Sequence, residues 1–456
     1  MPQPPVSASK FRQVERALLS RWPETRIDPT LDRIAALCDL LGQPQRAYPV
    51  IQLTGTNGKT STSRMIDALL RALALRTGRF TSPHLESMTE RICIDGEPVS
   101  PERFVELYAE VSPYAEIVDR SSTPPLSFFE VITAMAFAAF ADAPVDAAVL
   151  EVGLGGTWDN TTIADAAVAV VTPIGVDHER YLGDSPGAIA VEKAGIIKPG
   201  SFAVLAQQPV DATEVLLRRI VEVGATVARE GLEFGVVDRA AAVGGQLMTV
   251  QGLGATYADV FLPLHGAYQA QNAACAVAAV EAFAGGKAFE GGLDVEVVRE
   301  ALAQVSSPGR LEIVGRSPTV VLDAAHNPHG ALASAEAVSE AFAFSPLIGV
   351  VGIMADKDVE GILAAYEPIM AAIVCTQNST PRAMDAHKLA DVARDVFGPD
   401  RVEVVGRLDD ALERAICLAE AEFVEGSGVG IGSGGVLVTG SVITAGEARS
   451  LLGGGR

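Results

Sequence analysis

Residues 53–62, LTGTNGKTST, place a glycine-rich turn between a run of apolar residues and a helical pattern. The ending Gly58-Lys59-Thr60 is typical of a phosphate-binding loop. The common form of that loop requires a glycine at position 53, where the chain has Leu53, and the nearest upstream glycine is Gly55. Residues 60–75 carry apolar side chains at helical spacing. The sequence therefore predicts a shortened phosphate loop, and the alternative is a glycine turn that only mimics one.

The polar side chains of this turn suit a bound nucleotide. Backbone N–H groups at the start of a helix hold phosphate oxygens. Lys59 adds a positive charge, and the hydroxyl of Thr60 or Ser61 can contact a phosphate or Mg²⁺. We therefore expect nucleotide binding at this turn.

Short apolar strands alternate with helical stretches through most of the chain, which predicts a doubly wound, mostly parallel α/β sheet. The pattern pauses around residues 306–309 and then resumes. We predict an ATP-binding domain over residues 1–307 and a smaller Rossmann-like domain over residues 308–456. The predicted strands are residues 50–54, 147–152, 167–172, 320–322, 348–351, 372–374 and 436–438, and one predicted helix is residues 128–140.

Charge and composition exclude several classes of protein. The formal net charge of −22 argues against nucleic acid as the main partner, because a phosphate backbone requires a cationic face. Residues 59–91 oppose this trend and favour a small anionic ligand, although Arg71 and Arg76 also fit a solvated helix face. Five scattered cysteines without a CxxC pair, and no apolar N-terminal segment, indicate a cytoplasmic protein. The most apolar predicted helix is too short to span a membrane.

Several other polar residues follow predicted strands, at the edge where open α/β sheets bind ligands. Glu151 ends one strand and can hold Mg²⁺ on a nucleotide, the alternative being a salt-bridged strand end. His178 follows another strand beside acidic residues, which suits metal or phosphate contact as well as a structural role. Lys193 by itself reads as a surface lysine. The string DAAHNPH begins at Asp323 and includes His326. We expect this polar cluster to contact a small-molecule ligand, not to bind zinc.

Taken together, the motifs resemble the folylpolyglutamate synthases, and most closely the bacterial type that is also a dihydrofolate synthase, within the Mur ligase superfamily. The resemblance covers about residues 20–450. The strings that carry it, in chain order, are GTNGKT (55–60), SPHL (82–85), SFFE (127–130), EVGLGG (151–156), GVDH (175–178), EKAGIIKPG (192–200), PGRLE (308–312), DAAHNPH (323–329) and VLVTGS (436–441).

The resemblance implies a P-loop ATPase domain followed by a Rossmann-like domain, with the active site between them. The short loop GTNGK is the family's own form, which makes Gly55 its proper first glycine. The implied nucleotide contacts are Gly55, Thr56, Asn57, Gly58, Lys59, Thr60, Ser61, Asn272, Arg310 and Asp323. The implied ligands of two Mg²⁺ ions are Ser82, Glu151, His178 and Lys193, the last as a carbamate formed with CO₂. The implied catalytic residues are Lys59, Lys193, His178 and His326.

The resemblance also implies the substrates, which are dihydropteroate or a reduced folate together with L-glutamate and ATP. The expected contacts with the folate are Arg26, Ile27, Asp28, Phe128, Phe129 and Asp159, and those with glutamate are His326 and Ser441. In the alternative interpretation, Asp28 caps a helix beginning near Pro29 and the two phenylalanines belong to the core. The family is usually monomeric, and neither nucleic acid nor a membrane is expected as a partner.

Two departures from the family pattern affect these expectations. Residues 155–162 read GGTWDNTT where the family often has GGR-x-D-A-T-N, so the arginine is replaced by Thr157. This segment lies near the pterin in the family, which puts pterin selectivity in doubt. In addition, Thr60 stands where many members have glycine, and a threonine at this position resembles the cell-wall ligases instead.

The expected reaction activates a carboxylate as an acyl phosphate, which the amino group of L-glutamate then attacks with loss of phosphate. Mg²⁺ would offset charge on the transferring phosphoryl group. Four alternatives remain, of which three are a cell-wall amino-acid ligase, a small-molecule P-loop kinase, and a nucleotide-binding regulator without catalysis. A monofunctional folylpolyglutamate synthase is a fourth.

Overall fold

The computed structural model describes residues 6–23, 26, 28–285, 291–425 and 434–453. These divide into two compact units. The first takes the described residues within Met1–Arg239, Met248–Leu262 and Ala270–Val305, and the second those within Ala240–Leu247, Pro263–Gln269 and Ser306–Arg456. The boundary expected between residues 307 and 308 stays a prediction, because compactness in space does not establish independent folding.

The first unit contains an eight-stranded sheet in the order β4-β3-β2-β5-β1-β6-β7-β8. All neighbouring strands are parallel except β2–β3 and β3–β4, which are antiparallel. The strands are β1 (Val50–Thr54), β2 (Thr77–Phe80), β3 (Ile92–Ile94), β4 (Glu97–Pro98), β5 (Ala147–Glu151), β6 (Ala166–Val171), β7 (Phe202–Leu205) and β8 (Thr226–Arg229).

Every residue of the central parallel strands β1 and β5 is buried, and most of these residues are apolar, as is usual for such strands. The polar exceptions are Gln52, Thr54 and Glu151. Leu53 is in register with Glu151, and Thr54 with Val171. The segments that follow β5, β1 and β6 therefore leave the sheet side by side. The helices here are α1 (Val6–Leu19), α2 (Asp32–Leu40), α3 (Lys59–Ala72), α4 (Pro101–Ser121), α5 (Phe128–Asp142), α6 (Glu179–Leu182), α7 (Pro186–Lys193) and α8 (Val210–Val223), and after them come α9 (Ala267–Ala284) and α10 (Val295–Ala303).

A three-stranded sheet in the order β11-β10-β9 consists of β9 (Gly235–Ala242), β10 (Gly245–Gln251) and β11 (Thr256–Leu262). The second unit contains a six-stranded sheet in the order β12-β13-β17-β14-β15-β16, parallel except for β12–β13. Its strands are β12 (Glu312–Arg316), β13 (Thr319–Leu322), β14 (Leu347–Val351), β15 (Ala372–Gln377), β16 (Val402–Arg407) and β17 (Gly435–Thr439), and its helices α11 (Pro328–Ala341), α12 (Val359–Tyr366), α13 (Ala386–Phe397), α14 (Leu408–Glu425) and α15 (Val442–Leu452).

The predicted fold class, a mostly parallel α/β sheet followed by a second α/β unit, is confirmed. The predicted cap at Asp28 is wrong, because α2 begins at Asp32 with Leu31 as its N-cap residue. Within the described ranges, no helix has the length and apolarity needed to cross a bilayer.

Candidate active site

Gly55 and Gly58 set the path of the phosphate loop. Their φ angles are 147° and 89°, in a region that residues with a side chain rarely adopt. A Cβ on Gly55 would lie 1.9 Å from Thr172 Oγ1, and a Cβ on Gly58 would lie 2.5 Å from Asn272 Oδ1. The loop therefore passes its neighbours too closely for any residue but glycine. Asn272, expected from the sequence to contact ATP, lies directly beside it.

Thr56 and Asn57 in the loop form hydrogen bonds with the segment after β6. The Thr56 N–H donates to Pro173 O at 3.0 Å, and the Thr56 hydroxyl donates to Gly175 O at 2.8 Å. Asn57 follows, with its N–H 3.4 Å from Pro173 O. The first turn of an α-helix directs its N–H groups outward along the axis, where anions bind. In α3 that turn includes Lys59, Thr60 and Ser61.

Two lysine amines meet at one carbonyl of the loop. Lys59 Nζ donates to Gly55 O at 2.9 Å and to Thr56 O at 3.1 Å. Lys193 Nζ, at the end of α7, donates to the same Gly55 O at 2.9 Å. Burial, reinforced by the charge of Lys59, lowers the pKa of Lys193 to about 7. Near neutral pH a substantial fraction of this amine is therefore uncharged, which the sequence alone did not indicate.

Glu151 and Thr60 form a pair of oxygen donors beside the loop. Thr60 Oγ1 donates to the carboxylate oxygens of Glu151 at 2.9 and 3.1 Å. Glu151 ends β5 and is only 1% exposed. A carboxylate next to a hydroxyl fits Mg²⁺, which usually takes one or two protein oxygens together with phosphates and water. The described ranges contain no group of three or more His, Cys, Asp or Glu side chains that would hold a metal by itself.

Ser82 and His178 follow the strands on either side of this pair. Ser82 lies just beyond β2, which is next to β5 in the sheet. His178 precedes α6 with a φ of 54°, and its Nε2 lies 3.9 Å from Asp177 Oδ2. The fold thus sends all the predicted metal ligands toward the carboxyl edge of one sheet. Their coordination of Mg²⁺ stays a prediction.

Asp159 organises the loop that follows β5. Its buried carboxylate accepts hydrogen bonds from the N–H groups of Gly153, Leu154 and Thr161 and from the Thr161 hydroxyl, at 2.5 to 3.1 Å. Burial raises the pKa of Asp159, and these hydrogen bonds oppose the rise. All four bonds are internal to the loop. Asp159 therefore shapes this loop, and its contact with a substrate stays a prediction.

The predicted substrate contacts Arg26 and Asp28 precede α2. Asp28 accepts a hydrogen bond from Arg33 Nη1 at 2.6 Å, and Arg33 Nε donates to the buried carboxylate of Glu130 at 2.9 Å. The guanidinium of Arg26 lies 4.0 Å from the centre of the Trp22 ring system.

Ile27 lies outside the described residues. Phe128 and Phe129, the aromatic substrate candidates, are buried in the core of the first unit, as the alternative interpretation expected. The Arg91 guanidinium lies 4.9 Å from the centre of the Phe128 ring.

The structure divides most arginines of residues 59–91 between the protein interior and local ion pairs. Arg79 and Arg91 are buried. Arg71 pairs with Asp67 at 3.2 Å and Arg76 with Asp95 at 3.5 Å. Arg71 and Arg76 therefore fit the alternative of a solvated face, and the small anionic ligand expected at this stretch stays a prediction.

The second unit gathers the remaining predicted residues at the carboxyl edge of its own sheet. Asp323 follows β13, is buried, and accepts hydrogen bonds from Leu311 N at 3.1 Å and Ala325 N at 3.0 Å. Burial raises its pKa, and the positive charge of Arg310 opposes the rise. His326 Nδ1 lies 2.9 Å from Ala324 O.

Ser441 is held by a residue that the sequence analysis missed. Its hydroxyl caps α15 by accepting from Thr444 N at 3.0 Å, and it lies 3.3 Å from Asn378 Nδ2. Asn378 is buried and also donates to Thr444 Oγ1 at 3.0 Å. The signal was the polar run from Thr376 to Thr380, which begins two residues after the predicted strand 372–374.

Comparisons with known proteins identify the family of this chain. Residues 53–280 match the Mur ligase middle domain, and residues 309–441 match the Mur ligase, glutamate ligase domain. A dihydrofolate synthase/folylpolyglutamate synthase of Mycobacterium tuberculosis is 52% identical, over 98% of this chain and 95% of the relative.

Two solved structures share the whole architecture. Mycobacterium tuberculosis folylpolyglutamate synthase complexed with ADP has a TM-score of 0.94 at 51% identity, covering 98% of this chain and 99% of that one. E. coli FolC in complex with DHPP and ADP has a TM-score of 0.83 at 28% identity, covering 99% of both chains. The resemblance drawn from the sequence motifs is confirmed. With a shortened phosphate loop on a mostly parallel sheet and such close relatives along its whole length, the chain belongs to the dihydrofolate synthase/folylpolyglutamate synthase family of ATP-dependent Mur ligases.

Proposed function

We propose that the enzyme adds L-glutamate both to dihydropteroate and to reduced folates and their polyglutamates, releasing ADP and phosphate. The observation that carries the proposal is the meeting of Lys59 and Lys193 on Gly55 O, beside the Thr60–Glu151 pair. This arrangement places two amines and a buried carboxylate around the turn that would receive the ATP phosphates. It suits phosphoryl transfer to a carboxylate better than simple nucleotide storage.

The reaction proceeds in two steps. A carboxylate oxygen of the pterin substrate attacks the γ-phosphorus of ATP, the bond to the β–γ bridging oxygen breaks, and ADP leaves with that electron pair. The amino group of L-glutamate then attacks the acyl carbon of the acyl phosphate. The carbon–oxygen bond breaks, inorganic phosphate leaves, and the ammonium nitrogen loses a proton as the amide forms.

This chain's residues contribute mainly charge and position. The loop N–H groups and Lys59 hold the ATP phosphates and stabilise the charge on the transferring group. Thr60 and Glu151 would hold Mg²⁺, which supplies further neutralisation of phosphate charge when bound. Ser82 and His178 would complete two such sites. Asn272, Arg310 and Asp323 would contact ATP, and His326 and Ser441 would contact L-glutamate.

Lys193 is proposed to act as a carbamate. A neutral amine adds to CO₂ and loses one proton, so a cation becomes an anionic oxygen ligand. The lowered pKa of Lys193 supports this, because only the uncharged amine reacts. The resulting carboxylate would face the phosphate loop that Lys193 contacts.

We further propose that the enzyme works as a cytoplasmic monomer without nucleic-acid or membrane partners. All five cysteines are unpaired thiols, as is usual in a reducing compartment. Size-exclusion chromatography with light scattering tests the monomer, and a stable dimer at assay concentration would refute it.

The test of the proposed function is ADP release from the purified enzyme. We expect release only when a pterin substrate and L-glutamate are both present, with dihydropteroate as well as with tetrahydrofolate. Activity with tetrahydrofolate alone would make the enzyme a monofunctional folylpolyglutamate synthase. Release without glutamate would indicate a kinase, and activity only with a UDP-sugar would indicate a cell-wall ligase.

A further inference from the structure

Residues 155–157 pack against the segment that carries Lys193. The Thr157 N–H donates to Glu192 O at 2.9 Å, and the Thr157 hydroxyl donates to the same oxygen at 3.1 Å. Glu192 lies in the last turn of α7, where carbonyl groups lose their usual partner four residues on, and the Ala194 N–H that ends the helix also approaches Glu192 O. Thr157 therefore satisfies a helix-end carbonyl immediately before Lys193.

Two glycines allow this close approach. A Cβ on Gly156 would lie 2.5 Å from Glu192 O and 3.0 Å from Lys193 Cα. A Cβ on Gly195 would lie 2.3 Å from Thr157 Oγ1. Real Cβ atoms do not approach backbone atoms this closely, so the two segments are in contact at the limit of packing.

The same turn is also tied to the phosphate loop. Thr54, the last residue of β1, donates its hydroxyl to Gly155 O at 2.8 Å. Lys193 Nζ donates to Gly55 O at 2.9 Å. A closed ring of contacts therefore runs from the end of β1 through residues 155–157 to Lys193 and back to the loop.

We infer that Thr157, which replaces the arginine frequent in this family, is a positioning residue that together with Gly156 holds Lys193 against the phosphate loop. This inference rests on the proposed function, because that proposal gives Lys193 its catalytic role. Thr157 is exposed and its substitution leaves the core unchanged. It is therefore a suitable position for testing the role of one hydroxyl group.

The experiment compares Thr157→Val, Thr157→Ser and Gly156→Ala in the full-length enzyme. We expect kcat to fall at least threefold in Thr157→Val and about a hundredfold in Gly156→Ala, with KM for ATP within twofold of wild type. Thr157→Ser, which keeps the hydroxyl, should retain wild-type kcat within twofold. The matched controls are Thr213→Val, a threonine whose hydroxyl donates to Pro209 O at 3.0 Å away from the site, and Gly406→Ala, where a Cβ meets no atom within 4 Å.

A second measurement does not depend on turnover. Acetylation of Lys193 by acetic anhydride in CO₂-depleted buffer, where the amine carries no carbamate, is followed by peptide mass spectrometry. The rate reports how firmly the buried amine is held, with exposed Lys388 as internal reference. We expect acetylation of Lys193 to be at least fivefold faster in Thr157→Val than in wild type. Unchanged acetylation, unchanged kcat in both Thr157→Val and Gly156→Ala, or a Thr157→Ser enzyme as slow as Thr157→Val would each overturn the inference. A wild-type enzyme without glutamate-dependent ADP release would instead overturn the proposed function.

Discussion

At the scale of single residues, the surroundings of Lys193 decide its chemistry. An exposed lysine is charged at neutral pH, whereas Lys193 is buried next to the positive charge of Lys59. The string EKAGIIKPG located this residue only through its resemblance to a family. Burial and the shared carbonyl depend on contacts 138 positions apart along the chain, which no local pattern encodes.

Replacing Lys59 tests the loop directly. Lys59→Ala removes the charge that neutralises the ATP phosphates, so turnover should be lost while the melting temperature stays close to that of wild type. A mutant that keeps more than about a tenth of the wild-type rate, a loss below about 1.4 kcal/mol of barrier, would contradict the assignment. Lys388→Ala, at an exposed lysine, is the control.

The pKa of Lys193 predicts a dependence of stability on pH. Its folded value of about 7 lies below the ordinary 10.5, so between these values the unfolded chain binds more protons and stability rises with pH. The cost of burying the charge is complete below pH 7 and vanishes near pH 10.5. Lys193→Met removes that cost, so the mutant should be more stable than wild type at pH 6.5, by an amount that shrinks toward pH 9.5.

Urea unfolding in CO₂-depleted buffer at both pH values measures this difference. Lys388→Met should show no such trend. A Lys193→Met enzyme that is less stable than wild type at pH 6.5 would mean that Lys193 stabilises the fold.

Replacing Asp28 tests whether this residue contributes to the binding of dihydropteroate. Dihydropteroate lacks a glutamate tail, so its binding depends more on the pterin than that of folates does. Asp28→Ala should therefore raise KM for dihydropteroate about tenfold and KM for tetrahydrofolate less than threefold. Asp39→Ala, at the other end of α2, should change neither value. Equal losses with both substrates would indicate that Asp28 acts through its ion pair with Arg33, 2.6 Å away, rather than on the pterin.

At the scale of secondary-structure elements, the central strands were predictable and the edges were not. β1, β5 and β6 are mostly buried and mostly apolar, with helices between them, and this pattern predicts parallel strands. β9 is largely exposed, and its sequence GVVDRAAA has no regular alternation, so the three-stranded sheet had no clear signal. The predicted helix over residues 60–75 ends early, at Ala72.

The close packing of the loop between β1 and α3 predicts that a side chain at Gly55 weakens ATP binding. Gly55→Ala would place a Cβ 1.9 Å from Thr172 Oγ1 and 2.8 Å from Thr172 O, so the loop must move. We expect ATP binding, measured by calorimetry, to weaken at least a hundredfold. Gly42→Ala is the matched control, since Gly42 also has a positive φ of 80° but its Cβ would meet nothing within 4 Å. If both mutants bind ATP as wild type does, the close packing of Gly55 is not required for the loop.

At the scale of the whole molecule, the order of the motifs identified the family, which composition did not. The net charge of −22 excluded nucleic acid as an expected partner but identified no substrate. Nine short strings in a fixed order identified the family, and several of them set a backbone turn or a polar side chain at or just after the end of a strand, as Gly55, Glu151 and Asp323 do. Contacts such as Asn378 with Ser441 and Thr157 with Glu192 are long-range and were visible only in the folded chain.

The proposed acyl-phosphate intermediate can be tested on the complete enzyme by following the oxygen atoms of the substrate carboxylate. If the substrate carboxylate is phosphorylated, one of its oxygens becomes the bridge of the acyl phosphate and leaves with inorganic phosphate. Tetrahydrofolate carrying ¹⁸O in its γ-carboxylate should therefore transfer one ¹⁸O to phosphate per amide formed, detected as an isotope shift in the ³¹P NMR spectrum. A reaction lacking L-glutamate controls for slow hydrolysis. Label found in AMP would indicate an acyl adenylate, and label retained wholly in the folate product would show that the carboxylate was never activated through its own oxygen.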